Sequence, residues 1–470
     1  MTSRCRQSSW EDTFTLSDPR GLAAYAVTQN GFLPDRAPLR RLPDPYYAPW
    51  EALIDTLPSS TENGTLRTAV EQLPVLSAED RLKTIDEQRR AYVILSFLTH
   101  AYVWGGDTPA EILPPSISIP LVQISTLLEL PPVATYAALN LWNFTSSNND
   151  FTDLDSLHAL HTFTGTKDES WFYVVSVAME AQGGYIIPVM IRALEAAKRQ
   201  DHATVISALH ELCNCIRLIG WLLDRMYEKC NPNVFYHQIR PFLAGSKNMG
   251  PAGLPRGLFY GEGDGRGQWL EFRGGSNGQS SLIQFFDLVL GVTHTSTGNS
   301  SPESRTDPLN STTSPSAGSI VVSFHEEVRS YMPGPHRRFL ERVARLGSIR
   351  DFAAAEPGDL SATAVGLHEE LRRAFREATE TLATFRNKHL QIVTRYIVIP
   401  SRMARGPNGG PTKVNLANVK TNPKKQNGSC GRDSGTELTG TGGTALLPFL
   451  KQSRDETTKA GELYRAAKEG

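Results

Sequence analysis

Apolar residues recur at intervals of three and four along most of the chain. Between Arg81 and Trp104, Ile85, Tyr92, Leu95, Phe97 and Leu98 keep helical spacing, and Leu121 to Trp142 continues the pattern until Pro131 and Pro132 interrupt it. Trp171 to Ala181, Ile187 to Gln200 and Ala203 to Tyr227 follow in the same style. Period-two patterns closed by Asn-Gly or Asp-Gly are hard to find, so the predicted fold class is all-α. A longer stripe runs from Leu367 through Leu371, Phe375, Ala378, Leu382 and Phe385 to His389, Ile392 and Tyr396. It predicts one buried face on a single long helix, which Pro400 is expected to end.

Three Gly-rich segments, Gly245 to Gly267, Gly274 to Ser281 and Gly440 to Thr444, read as loops. Thr293 to Gly318 is rich in Ser, Thr, Asn and Pro and is expected to be an insertion between two packed helices; Ser401 to Gly435 is expected to be a linker.

Composition narrows the function. The chain has 470 residues, 40% of them hydrophobic and 21% charged, enough for a real core in a few domains. Its 48 Lys and Arg balance 49 Asp and Glu to a net charge of -1, which argues against sequence-independent binding to nucleic acid or to acidic membranes. No apolar run of signal-peptide or membrane-span length is evident, so the expectation is a soluble, cytoplasmic protein. Five cysteines form an odd, sparse set that reads as reduced thiols.

Most motifs fail on their own chemistry. Gly261 to Gly267 lacks the buried strand and final spacing of a dinucleotide turn, and Gly440 to Thr444 lacks the lysine of a phosphate loop. His325-Glu326-Glu327 and His368-Glu369-Glu370 resemble half of a zinc-protease helix, but the fourth residue after each histidine is Arg329 or Arg372, which cannot ligate zinc. His389 is different. It falls inside the long apolar stripe with Arg386 one turn earlier. Spacing alone allows a satisfied core histidine with an exposed arginine, or an axial imidazole beside an anion clamp, the pairing that a haem with its propionates requires.

The segment Thr384 to Tyr396, with His389 at its centre, resembles the proximal haem helix of the indoleamine 2,3-dioxygenase family. Leu42 to Pro45, Leu95 to Trp104, Leu130-Pro131-Pro132, Gly274-Gly275-Ser276, Gly278 to Ser281 and Gly440 to Thr444 resemble further segments of that family in the same order. The resemblance implies an all-α fold with a smaller amino-terminal helical domain, residues 1–160, packed on a larger haem-binding domain, residues 161–470. It implies haem b, active as ferrous iron, and insertion of dioxygen into L-tryptophan to give N-formylkynurenine, the first step of the kynurenine route that can feed nicotinamide cofactor synthesis. An electron donor keeping the iron ferrous and a monomeric state are expected with it.

By the same resemblance His389 is the proximal iron ligand, Arg386 holds a propionate and Asp287 is an acceptor behind the ligand. Gly275 and Ser276 approach haem and substrate. Arg240 binds the substrate carboxylate, Tyr136, Phe172 and Phe235 wall the indole, and Thr441 belongs to a loop that closes over the substrate. Ser176 orients dioxygen or the indole N–H without acting as a base. Leu139, Asn140 and Asn277 depart from the family's usual cysteine and small residues, so pocket volume and polarity differ. The alternative reading is a haem protein of the same lineage that carries or senses oxygen or tryptophan with little turnover; a helical scaffold without cofactor is a third.

Overall fold

The computed structural model describes Leu16 and residues 18–295, 324–356, 362–402, 440–441 and 446–462. The expected insertion beyond Thr295, the expected linker beyond Arg402 and Gly442 to Thr444 lie outside the described residues.

Helices begin where short polar side chains can cap them. Thr84 accepts from the Glu87 amide at the start of Ile85–Trp104, and Asp86 and Glu87 suit the positive end of its dipole. Thr166 does the same for Lys167–Gln182, Asp201 for His202–Asp224 and Ser280 for Ser281–Leu290. The last of these stops at Gly291, whose φ of 65° is the left-handed conformation that glycine adopts without strain.

The all-α expectation holds, with a few short strands. The predicted stripe is a helix, Ala362–Val393, in which Leu371, Phe375, Ala378, Leu382 and Phe385 are buried. It lies along His202–Asp224 and carries Leu446–Ala460 beside it. Lys388 pins it to the first of these helices through Asp224 and the Gly220 carbonyl. Most of the buried apolar side chains form one continuous cluster from Leu16 to Ala460. In the amino-terminal part, Arg90 and Glu51 make a buried ion pair, each 2% exposed, and Glu51 also accepts from the Leu42 amide at 2.8 Å. Such a pair is costly to break from one side.

Three expectations need correction. Gly245 to Gly267 is not all loop: Leu258–Gly263 and Arg266–Leu270 form an antiparallel hairpin, with Ile112–Leu113 parallel to its first strand. Asp264 and Gly265 at its tip have φ of 51° and 71°, the positive pair that a two-residue hairpin turn needs. The glycines on either side had masked that Asp-Gly signal. Pro400 does not end the long helix. The backbone widens into a π-helix at Thr394–Val398 and continues through Ile399–Arg402, because the wider turn tolerates a residue without an N–H. Finally, the stretch His202–Lys229 is long and apolar enough by length and composition to cross a membrane, although 61% of its apolar window is buried inside the fold.

Candidate active site

A cavity opens where Lys167–Gln182, His202–Asp224, Ala362–Val393 and Leu446–Ala460 converge. Three π-helical segments bound it. Ala137–Leu141 supplies Leu139 and Asn140, Phe235–Ile239 supplies Phe235 and runs directly into Arg240, and Thr394–Val398 supplies Tyr396 and Ile397. Each such turn displaces side chains from the register of a regular helix, a device that recurs at functional sites. Of the residues named from sequence, Tyr136, Phe172, Ser176, Phe235, Arg240, Gly275, Ser276, Arg386, His389 and Thr441 line this one space. Asp287 stands behind its wall.

His389 is half-buried, on the cavity side of the long helix. Burial and the neighbouring Arg386 charge lower its pKa to about 4, so the ring is neutral at ordinary pH, the form that ligates iron. No hydrogen bond to the ring is made among the described residues. A neutral, unbonded imidazole in a mainly apolar cavity fits an axial haem ligand.

Arg386 is placed differently from an exposed arginine. It is 8% exposed; its Nη2 donates to both Asp287 oxygens at 2.7 Å, and its Nη1 donates to the Ser453 carbonyl and to Thr457. Asp287 therefore acts on Arg386 rather than accepting from the His389 ring. Asp287 also faces His294 Nε2 at 3.1 Å, while His294 Nδ1 meets Glu456 at 2.7 Å. Both ring nitrogens face carboxylates, an arrangement that favours the doubly protonated imidazolium. Burial opposes the charges of Asp287 and His294, but their mutual attraction and Arg386 prevail: the Asp287 carboxyl is held well below its usual range and the His294 pKa is raised. Asp287, His294 and His325 bring potential ligand atoms within 4.8 Å of one another. With a guanidinium on Asp287 and both His294 nitrogens engaged, this cluster is built as an ion-pair network joining Ser281–Leu290, Ala362–Val393 and Leu446–Ala460.

Across the cavity, Phe172 and Phe235 pack at 4.9 Å between ring centroids. Arg240 is 2% exposed, and burial lowers its pKa to about 10, which leaves it cationic at neutral pH. Tyr136 donates to Glu180 Oε1 at 3.1 Å, and Ser280 donates to the same oxygen at 2.6 Å. Burial raises the Glu180 carboxyl to about 7, against the effect of those two hydrogen bonds. Ser176 sits one turn before Glu180 on the same helix, beside the Tyr136 phenol. Sequence reasoning missed Glu180; the signal was its i+4 spacing from Ser176 within the mainly apolar stretch Trp171 to Ala181.

The Gly274-Gly275-Ser276 turn closes one side. Gly274 passes so near Leu243 and Gly245 that an added Cβ would lie 2.1 Å from the Leu243 carbonyl, and a Cβ on Gly275 would lie 2.4 Å from Leu139 Cδ1. Glycine is required here by packing against protein. The Ser276 hydroxyl accepts from the Gly278 amide, and Thr441 donates to the Gly275 carbonyl at 2.9 Å, which docks Thr441 on this turn.

The profile of the indoleamine 2,3-dioxygenase family matches residues 21–460. The chain belongs to the indoleamine 2,3-dioxygenase family. It is 39% identical to indoleamine 2,3-dioxygenase nanC of Aspergillus nanangensis, over 94% of this chain and 97% of that one. It is 38% identical to an indoleamine 2,3-dioxygenase of Saccharomyces cerevisiae over 94% of both chains, and 36% identical to 6-hydroxytryptophan 2,3-dioxygenase fscD of Fusarium equiseti over 92% of this chain and 95% of that one. Membership makes the protein a dioxygenase of the tryptophan 2,3 type at the level of the family. The all-α architecture around the cavity is consistent with that membership. Residues of the wall that sequence reasoning did not single out, among them Ile219, Leu223, Phe449 and Leu450, come from helices whose apolar faces read equally well as ordinary core.

Proposed function

We propose that this protein is a haem-dependent dioxygenase that converts L-tryptophan to N-formylkynurenine, with His389 holding the iron. The observation that carries the reading is the neutral imidazole of His389 in the same apolar cavity as the buried, cationic Arg240. Bound haem supplies the ferrous iron at which dioxygen is activated. The chain supplies binding, orientation and exclusion of water.

Arg240 offers a planar fork to the substrate carboxylate, which suits it better than a lysine would. Phe172 and Phe235 provide an apolar slot for the indole, and Ser176 offers a hydroxyl toward the reacting edge. Thr441, docked on Gly275, closes that side against solvent. Removing Arg386 from competition for external anions by pairing it with Asp287 fixes the helix turn that carries His389; any propionate contact of Arg386 adds to that pair. An electron donor maintains the ferrous state. Because one relative is named for 6-hydroxytryptophan, the proposed substrate class includes ring-hydroxylated tryptophans. Placement at the head of the kynurenine route follows from the product.

The test is turnover of L-tryptophan by haem-loaded, reduced protein under isotopically labelled dioxygen. Two labelled oxygens in N-formylkynurenine are expected. Saturable tryptophan binding without product would favour the carrier or sensor reading, and a single label would contradict dioxygenation.

A further inference from the structure

The wall of the cavity contains two buried side-chain acceptors without a donor among the described residues, Glu180 Oε2 and the amide oxygen of Asn140, and the second is the neutral one. Asn140 is 4% exposed and sits on the π-helix Ala137–Leu141 among apolar neighbours, with Leu139 beside it and Val175 and Phe172 also lining the space. Its Nδ2 donates to the Tyr136 carbonyl at 3.3 Å. A carbonyl can only accept, so this bond fixes which way the amide is turned. The Oδ1 is then left buried with no hydrogen-bond partner among the described residues.

A buried amide oxygen without a donor costs free energy that a bound ligand recovers when it brings an O–H to it. On the proposed binding mode the carboxylate of L-tryptophan is taken by Arg240, and Ser176 offers its hydroxyl toward the reacting edge. The benzo edge of unsubstituted indole has nothing to donate. We propose that Asn140 is a specificity-determining residue whose Oδ1 accepts from a hydroxyl on the benzo ring, so that the preferred substrates are ring-hydroxylated tryptophans. This rests on the tryptophan dioxygenase reading above and names the substrate class of the same cavity. A site that hydrogen-bonds a substrate hydroxyl rejects the analogue lacking it more strongly than an apolar pocket rejects an added hydroxyl. Asn140 therefore shifts the pocket from tolerating such a group to selecting it.

The experiment titrates the Soret band of the reduced, carbon-monoxide-bound holoprotein with L-tryptophan and with each of its ring-hydroxylated isomers, and measures kcat/KM for the same set. Wild type and Asn140→Leu, which keeps the shape of the side chain and removes the acceptor, are compared. The expected result is that wild type binds at least one hydroxylated isomer about tenfold more tightly than L-tryptophan. Asn140→Leu should lose that preference. Equal affinities in wild type for every isomer and for L-tryptophan would overturn the proposal without a variant being needed, and so would a preference that survives in Asn140→Leu. Weaker L-tryptophan binding in Asn140→Leu with no change in isomer ranking would assign the acceptor to the indole N–H and also overturn it. If no indole shifts the Soret band, the function reading fails and this assignment with it.

Discussion

Arg386 and Asp287 form a buried, two-pronged ion pair, with Nη2 2.7 Å from both carboxylate oxygens, one helical turn before His389. Through Ser453, Thr457 and, by way of His294, Glu456, the pair also holds the helix Leu446–Ala460. The helix that carries His389 and the helix Leu446–Ala460, both of which line the cavity, are thus tied to the same carboxylate.

Asp287→Asn should be strongly destabilising, because it leaves the Arg386 guanidinium buried without its counter-ion. A loss of about 3 kcal/mol is expected from breaking one side of a buried pair. Urea unfolding of the holoprotein measures it. A change within error would show that Asp287 does not anchor the network.

Glu180 gives a pH dependence of definite sign. Its folded-state carboxyl is raised to about 7 from a reference of 4.5, so the folded chain retains a proton that the unfolded chain releases. Its contribution is fully present below the unfolded value, declines as pH rises between the two, and stays lost above about 7. Glu180→Gln, which still accepts from Tyr136 and Ser280, should remove this decline. Near pH 8 the variant should be more stable than wild type by on the order of 2 kcal/mol, with the difference vanishing near pH 4. Parallel urea midpoints at the two pH values check it; a constant difference would contradict the assignment.

Gly274→Ala should cost about 2 kcal/mol or more and perturb the cavity, since the new methyl would meet the Leu243 backbone rather than a side chain that can move. Thermal unfolding and haem retention are the readouts. Gly275→Ala meets the flexible end of Leu139 first and should be milder.

Arg240→Ala should weaken L-tryptophan binding by about tenfold to a hundredfold, the value of a charge-assisted hydrogen bond, while haem content stays normal. Unchanged affinity would remove Arg240 from the substrate site.

The sequence displayed the helices and the long stripe because burial on one face imposes a period that survives without coordinates. His389 was legible as an exception to that stripe. The hairpin was not, since glycine gives no side chain to alternate and Asp264-Gly265 lies within a run that reads as loop. The three π-helical segments were also hidden: a one-residue widening leaves no compositional mark, yet it sets where Asn140, Phe235 and Tyr396 fall. Asp287 and Arg386 were visible as residues but not as a pair, because 99 positions separate them. Glu180 was overlooked because an acid on a helix that already carries Asp168 and Glu169 reads as a solvent-facing position, whereas it is 2% exposed.

The most direct test of the central claim is the visible spectrum of haem-loaded, reduced protein titrated with L-tryptophan, for wild type and His389→Ala. Wild type should show a Soret band from one haem per chain that shifts saturably with L-tryptophan, and His389→Ala should fail to hold haem while keeping its helical content. A wild-type band indifferent to tryptophan, or an unaltered band in His389→Ala, would contradict the placing of iron and substrate in this cavity.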